Sequence, residues 1–313
     1  MADLTLLLPP LRRAAEQAHS AELALWTSRG DRLADALPGR DAILRESFEF
    51  IGTTIPFAAL TRSLDSSDAA GTLWLRADPA WVAADAVTLR LLSCGNMDLS
   101  PADSEQLARS LKPLFGDAGF LLEATTPSRW YLRCPTGATL PTFSAPHAAL
   151  GDDVARHLPE GEGGRRWQHL LNEAQVILHN HPLNAERTRR GAPPVNSLWL
   201  WGPGMLPEWV RTTATTIVSG DQIVHALAGL AKTPVAGTLA DALGAATVDS
   251  RILLDLDAAG DVTIEPVLQA IQQALVRRTV GELRLSFASG ERYRYRHAHR
   301  WRFWRKVPAQ AQA

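Results

Sequence analysis

Between Ser197 and Phe287, short apolar runs alternate with stretches of helical period. Ser197-Leu-Trp-Leu-Trp201, Arg251-Ile-Leu-Leu-Asp-Leu256 and Glu282 to Phe287 read as strands, whereas Gln222 to Leu230, Ala236 to Leu243 and Ile264 to Val276 read as helices. Each strand–helix step can bury its apolar side only by folding back on a common sheet, so the expectation is an α/β fold with helices on the faces of the sheet. The run Leu4 to Leu8, stopped by Pro9 and Pro10, adds a buried strand from the other end of the chain. Helical stretches over Leu11 to Ala36 and Asp41 to Phe50 follow it.

The middle of the chain has a different texture. Leu73 to Leu75 and Ala86 to Leu92 read as strands flanking a turn at Asp78-Pro79. Ser100 as N-cap, Pro101 at the first helical position and Asp103 and Glu105 in the first turn mark a helix, along which Leu107, Leu111, Leu114 and Phe115 recur at helical spacing. Phe120 to Ala124 and Trp130 to Cys134 read as a hairpin around Pro127-Ser128. Strand, helix, strand, strand is half of a ferredoxin-like module. Pro135 to Gly164 reads as an irregular connection and Arg166 to His179 as a helix that Pro182 ends. At 313 residues the chain can hold two domains. The expected division is a discontinuous core of 1–75 and 197–306, an inserted cap-like α+β module of 76–196, and a disordered tail over 307–313.

Apolar residues at 46% and charged residues at 21% exclude wholesale disorder. Two cysteines are too few for a disulfide framework. No apolar stretch reaches the roughly 20 residues that cross a bilayer, and the start lacks the basic region of a secretory signal. The expected location is the cytoplasm, with no membrane partner. A net charge of −1 conceals a basic end: residues 277–306 hold ten basic and two acidic side chains, a local excess of +8. Strict alternation from Arg292 to Phe303 places Tyr293, Tyr295, His297, His299, Trp301 and Phe303 on one strand face and arginines on the other. Arg292, Arg294, Arg296, Arg300 and Arg302 are therefore candidates for a partner surface, toward a protein or nucleic acid. The alternative is an edge strand whose arginines keep it soluble.

Two constellations could carry chemistry. In His179 to Gly204 a helix end, a cationic loop and a strand opening at Gly202-Pro203-Gly204 bring His181, Asn184, Arg187, Arg190 and Asn196 into reach of an anionic ligand. Equally, the asparagines could cap backbone groups and the arginines stay solvated. Asp255 and Asp257 fall at the carboxyl end of a strand, where α/β proteins bind ligands.

The same block, with His181-Pro182-Leu183-Asn184, Arg187, Gly191, Pro193-Pro194-Val195-Asn196 and Trp199-Leu200-Trp201-Gly202, resembles the signature of the archaeal-type, cofactor-independent phosphoglycerate mutases of the alkaline phosphatase superfamily. Ser100 to Leu111 resembles the family's cap helix, Arg129 to Arg133 its hairpin strand, Ala145-Pro146-His147 its Asp-Pro-His turn, and Ala214 to Val235 a strand–helix–strand passage. Shorter bacterial proteins labelled phosphoglycerate mutase or RpfE-type regulatory protein are similar. The resemblance implies a reduced alkaline-phosphatase-like core with a ferredoxin-like cap, and adds Arg129 and His147 to the ligand-binding candidates.

The chain departs from the family where the chemistry lies. A mutase of this kind needs an Asp-Gly after the first strand, a serine nucleophile, and Asp and His groups that hold two divalent metals. Here the first strand ends in Pro9-Pro10, the loop Asp255 to Asp261 has acids without histidine, and the final strand leads into Ala288-Ser289-Gly290. The cap arginine cluster is also missing, replaced around Leu92 to Met97. The resemblance therefore implies a non-catalytic, cofactor-free regulatory protein that binds a small anionic ligand or a protein partner. The alternative is an active enzyme using Mn or Zn, with ligands from Asp221, His225, Asp255, Asp257 and Asp261. A second alternative is a nucleic-acid-binding module working through the C-terminal arginines.

Overall fold

The computed structural model describes residues 1–18, 21–85, 88–259 and 264–305, and the chain forms two compact units, Met1–Thr54 with Trp209–Ala313, and Ile55–Glu208. In chain order the strands are β1 (Ala2–Leu8), β2 (Asp31–Arg32), β3 (Leu73–Ala84), β4 (Leu89–Cys94), β5 (Leu121–Thr126), β6 (Arg129–Cys134), β7 (Ser197–Met205), β8 (Thr216–Val218), β9 (Arg251–Asp255), β10 (Val280–Phe287) and β11 (Arg292–Arg296). The helices are α1 (Leu11–Ala18), α2 (Ala21–Arg29), α3 (Arg40–Ser47), α4 (Phe57–Asp65), α5 (Pro101–Asp117), α6 (Pro146–Ala149), α7 (Gly164–His179), α8 (Pro182–Arg189), α9 (Gln222–Leu230), α10 (Leu239–Gly244) and α11 (Glu265–Val276).

The first unit is built on a sheet of order β2-β11-β10-β1-β9-β8, in which β10, β1, β9 and β8 run parallel, β11 returns antiparallel beside β10, and the short β2 pairs antiparallel with β11. Period two on β1 sends Leu4, Leu6 and Leu8 to one face, where they share a core with Ala14 and Trp26 of α1 and α2 and with Leu268, Ile271 and Leu275 of α11. The three α11 residues recur at three and four positions, the spacing that gives a helix one apolar stripe. Parallel strands end together, so the segments after β8 and β9 meet at one edge of the sheet.

In the second unit β7, β3, β6 and β5 are antiparallel neighbours in that order, and β4 pairs with the second half of β3. α5 connects β4 to β5, and α7, with α8, lies between β6 and β7. Leu107, Leu111 and Phe115 of α5 and Trp167, Leu170, Ala174 and Leu178 of α7 share a core with Leu75, Leu122, Leu132 and Leu198. The helix start read at Ser100 is present: its side chain accepts the Asp103 N–H at 3.1 Å.

Four expectations are corrected. The division falls at 54/55 and 208/209 in place of 75/76 and 196/197, because Leu73–Ala80 of β3 pair with Ser197–Met205 of β7 and keep both strands in the second unit. Asp78-Pro79 is no turn: β3 runs through it, with the Asp78 carboxylate held by Arg76 and by the Trp201 indole, and the Pro79 carbonyl accepting the Gly95 N–H. Gly202-Pro203-Gly204 belongs to β7, and a Cβ at these glycines would stand 2.7 Å from Phe57 Cβ and 2.8 Å from Pro56 Cα, so their small size allows α4 to lie against the strand. The helix ending at His179 is present as read, and Pro182 beyond it opens α8 at its first position, with His181 as N-cap. β11 stops at Arg296, and His297–Trp301 is a 3₁₀ turn in which buried His299 packs edge-on to Tyr295. The tail 307–313 lies outside the described residues. Among the described residues no helix is long and apolar enough to cross a membrane.

Candidate functional site

The carboxyl edge of the parallel sheet gathers a charged cluster. β8 and β9 are paired with Val218 opposite Leu254, so the next residues, Ser219 and Asp255, are neighbours. The Ser219 hydroxyl donates to Asp255 Oδ2 at 2.7 Å and accepts the Asp221 N–H at 3.0 Å. Asp221 caps α9, its Oδ1 accepting the Ile223 N–H at 2.7 Å. Asp257 follows β9 in a short 3₁₀ turn.

Arg40, the first residue of α3, enters this group with its guanidinium. Nη1 and Nη2 donate to the two oxygens of Asp255, each at 2.7 Å, in the bidentate fork that arginine makes with a carboxylate. Nη2 also donates to Asp221 Oδ2 at 2.7 Å, and Nη1 to Asp257 Oδ2 at 3.3 Å. The Asp255 side chain is fully buried, and that of Arg40 is 19% exposed. Burial opposes the charge on Arg40, but the hydrogen bonds and charge of Asp255 and Asp221 outweigh it and raise the guanidinium pKa. Burial holds the Asp257 carboxyl above its usual range, against the pull of Arg40.

Three of the five residues weighed as metal ligands thus come together, but around an arginine. His225 is engaged by a backbone group: its Nε2 pairs with the Ser219 carbonyl at 2.7 Å. Asp261 lies outside the described residues. Among the described residues no group of three or more His, Cys, Asp or Glu side chains is placed to hold a metal ion. A metal needs its oxygens about 2.0–2.6 Å from one point, whereas a planar guanidinium spreads its partners around its rim. The carboxylates here follow the second pattern and do not fit a metal pair.

The anion-binding candidates of the second unit are largely committed to the backbone. Asn184 donates to the Leu178 and Val195 carbonyls and accepts the Val195 N–H. Buried Arg187 donates to the carbonyls of Pro193, Asp98 and Met97, and burial lowers its pKa. Asn196 pairs with both backbone groups of Val82. His181 accepts the Leu183 N–H through Nδ1, with its pKa lowered by burial. Arg129 is held by Asp65. Only His147 and Arg190 of that set present exposed side chains, and Arg190 lies beside Glu186 at 3.6 Å. These residues brace loops against strands. Most of these side chains are thus spent on backbone groups of the same unit, as in the alternative in which the asparagines cap backbone groups.

The arginines of the basic end also have partners within the chain, while Arg296 and Arg300 stay exposed. Arg292 pairs with Glu46 at 2.9 Å and is buried, Arg296 and Arg284 enclose Glu282, and Arg302 and Arg294 both reach Asp31. Arg300 lies over the Trp301 ring at 4.7 Å. Glu282 lies within the basic stretch itself, whereas Asp31 of β2 and Glu46 of α3 are far away in sequence, and the run of arginines gave no sign of those two. Sequence reasoning also missed Arg40, which no motif marks; only the fold brings it to the acids.

Fold and site together define a mixed α/β protein whose parallel sheet ends in a carboxylate cluster closed by an arginine. Through part of its length the chain is related to the 2,3-bisphosphoglycerate-independent phosphoglycerate mutases. It is 33% identical over 110 residues to a probable member from Geobacter sulfurreducens, a match spanning 35% of this chain and 28% of that protein. It is 36% identical over 64 residues to the Methanosarcina mazei enzyme, spanning 20% and 16%. The matched stretch is thus under a third of these relatives' length. No protein-family model matches. A cofactor-independent phosphoglycerate mutase from Thermoplasma acidophilum aligns over 100% of this chain and 95% of its own at 17% identity, with a TM-score of 0.46. The PH0037 protein from Pyrococcus horikoshii aligns over 94% and 86% at 13% identity, with a TM-score of 0.47.

Proposed function

We propose that this chain is a phosphoglycerate-mutase-like protein without phosphoryl-transfer chemistry, acting in regulation in the cytoplasm by binding a small anionic ligand or a protein partner. The observation that carries this reading is the pairing of Asp255 with Arg40: the acids at the sheet edge that could have served a metal are engaged by a guanidinium, and among the described residues no imidazole joins them. Metal-activated attack on a phosphoryl group needs those donors free. On this reading the first unit is a reduced alkaline-phosphatase-like core, and the second is a ferredoxin-like cap. The antiparallel order β7-β3-β6-β5, with α5 and α7 in its connections, supports the latter.

A partner face is available at the end of the described chain. Trp301, Phe303 and Trp304 are 58%, 65% and 76% exposed, with Arg29 over Phe303 and Arg300 over Trp301. Exposed aromatic and arginine side chains of this kind are enriched at protein interfaces. The deciding experiment is a 2-phosphoglycerate/3-phosphoglycerate interconversion assay on purified protein with Mn, Zn or Mg supplied. No turnover above background is expected; metal-dependent turnover abolished by Asp255→Asn would defeat the reading.

A further inference from the structure

We infer that Arg40 with Asp221, Asp255 and Asp257 forms a guanidinium site built into the chain, and that this internal cation makes the sheet edge independent of metal. The inference rests on the non-catalytic reading above and deepens it.

Three observations carry it. First, the donor geometry is that of a guanidinium: both terminal nitrogens are used, Asp255 is engaged through both oxygens, and Asp221 and Asp257 accept from the outer rim. Second, the acids are held for this purpose by other groups. The Ser219 hydroxyl fixes Asp255, and the α9 N-terminus fixes Asp221 through the Ile223 N–H. Third, burial makes the cation necessary. The Asp255 side chain has no solvent exposure and that of Asp257 has 11%, so without Arg40 their charges would face each other with little water to screen them. Arg40 begins α3, so the same contact anchors this helix at the carboxyl ends of β8 and β9.

The inference is tested by chemical rescue. Arg40→Ala should lower the melting temperature by about 8 °C. Low-millimolar methylguanidinium should restore at least half of that loss, because it can re-enter the vacated space, whereas Mn or Zn should not. In the wild type, Mn, Zn and a chelator should each leave the melting temperature unchanged. Stoichiometric metal binding by the wild type, lost in Asp255→Asn, would overturn the inference, as would an Arg40→Ala protein that Mn or Zn rescues and methylguanidinium does not, or one as stable as the wild type. If Arg40→Ala does not fold, Arg40→Lys supplies the comparison. Its single ammonium cannot make the bidentate fork, so it should melt below the wild type without responding to Mn, and a saturable rise with Mn would count against the inference. Failure here with no mutase turnover leaves the non-catalytic reading standing; turnover defeats that reading whatever the rescue shows.

Discussion

Asn184 and Val195 face each other as two strands would: the Asn184 amide donates to the Val195 carbonyl at 2.8 Å and accepts the Val195 N–H at 2.8 Å. The side chain thus supplies one rung of a ladder to a loop with no strand partner, and its second N–H closes the end of α7 at the Leu178 carbonyl. Asn184→Asp replaces two donors with a charged acceptor facing two carbonyls. It should cost about 3 kcal/mol in urea denaturation. A loss below about 0.5 kcal/mol, the scale of a surface change, would mean that the amide is free for a ligand.

Gly204 is required by a close approach. Any side chain there meets Pro56, whose Cα would be 2.8 Å from the new Cβ. Gly204→Ala should therefore destabilise by about 2 kcal/mol through displacement of α4 from β7, whereas Gly220→Ala, with nothing near its Cβ position, should cost less. Equal melting temperatures for the two variants would contradict this.

Glu282 gives a pH signature. Burial would raise its pKa, but the hydrogen bonds from Arg284 and Arg296 prevail and hold it below the usual value of 4.5. A carboxyl whose folded pKa is depressed stabilises the fold above its unfolded pKa and loses that contribution as pH falls through the folded value. Glu282→Gln should therefore be less stable than the wild type at neutral pH, and the difference should close below about pH 4. A constant gap between the two denaturation curves across that range would contradict the assignment.

Asp257 should behave with the opposite sign. Its carboxyl is held above the usual value of 3.8, chiefly by burial. Its contribution is fully favourable below the unfolded pKa and is lost as pH rises through the folded value. Asp257→Asn should thus equal or exceed the wild type in stability at neutral pH, while Asp255→Asn, which breaks the bidentate pair, should fall below it by about 3 kcal/mol. Thermal melts of the two variants at neutral and acid pH separate these outcomes.

Arg292 tests the basic end. It pairs with Glu46 and donates to the Phe287 carbonyl. Arg292→Ala should lower stability by about 2 kcal/mol. Single-stranded DNA binding, followed by anisotropy at low salt, should be absent from both proteins; strong salt-sensitive binding lost in the variant would restore this surface to a nucleic-acid role.

Elements whose apolar pattern repeats locally could be read from the sequence. Leu4 to Leu8, the α5 cap at Ser100, α11 and the hairpin at Pro127-Ser128 all stand where their residues place them. The errors fall where distant residues override a local signal. Asp78-Pro79 has turn chemistry, yet Arg76 and Trp201 give the carboxylate better partners within a strand. Gly202 and Gly204 look like a turn until Pro56 and Phe57 explain why no side chain fits. The acids of the candidate site were visible at the end of a strand, but the residue that decides their chemistry lies 215 positions away, at Arg40.

The placement of β1 between β9 and β10 has a consequence during synthesis. Leu4 pairs with Ile252 and Leu283, so β1 waits until β9 and β10, some 240 residues later, have been made before its ladder can close. Ile55–Glu208 is complete in the meantime and can fold as a unit. Throughout that interval the nascent Leu4 to Leu8 segment is apolar and without its strand partners, the condition in which a strand is most open to pairing with other edges.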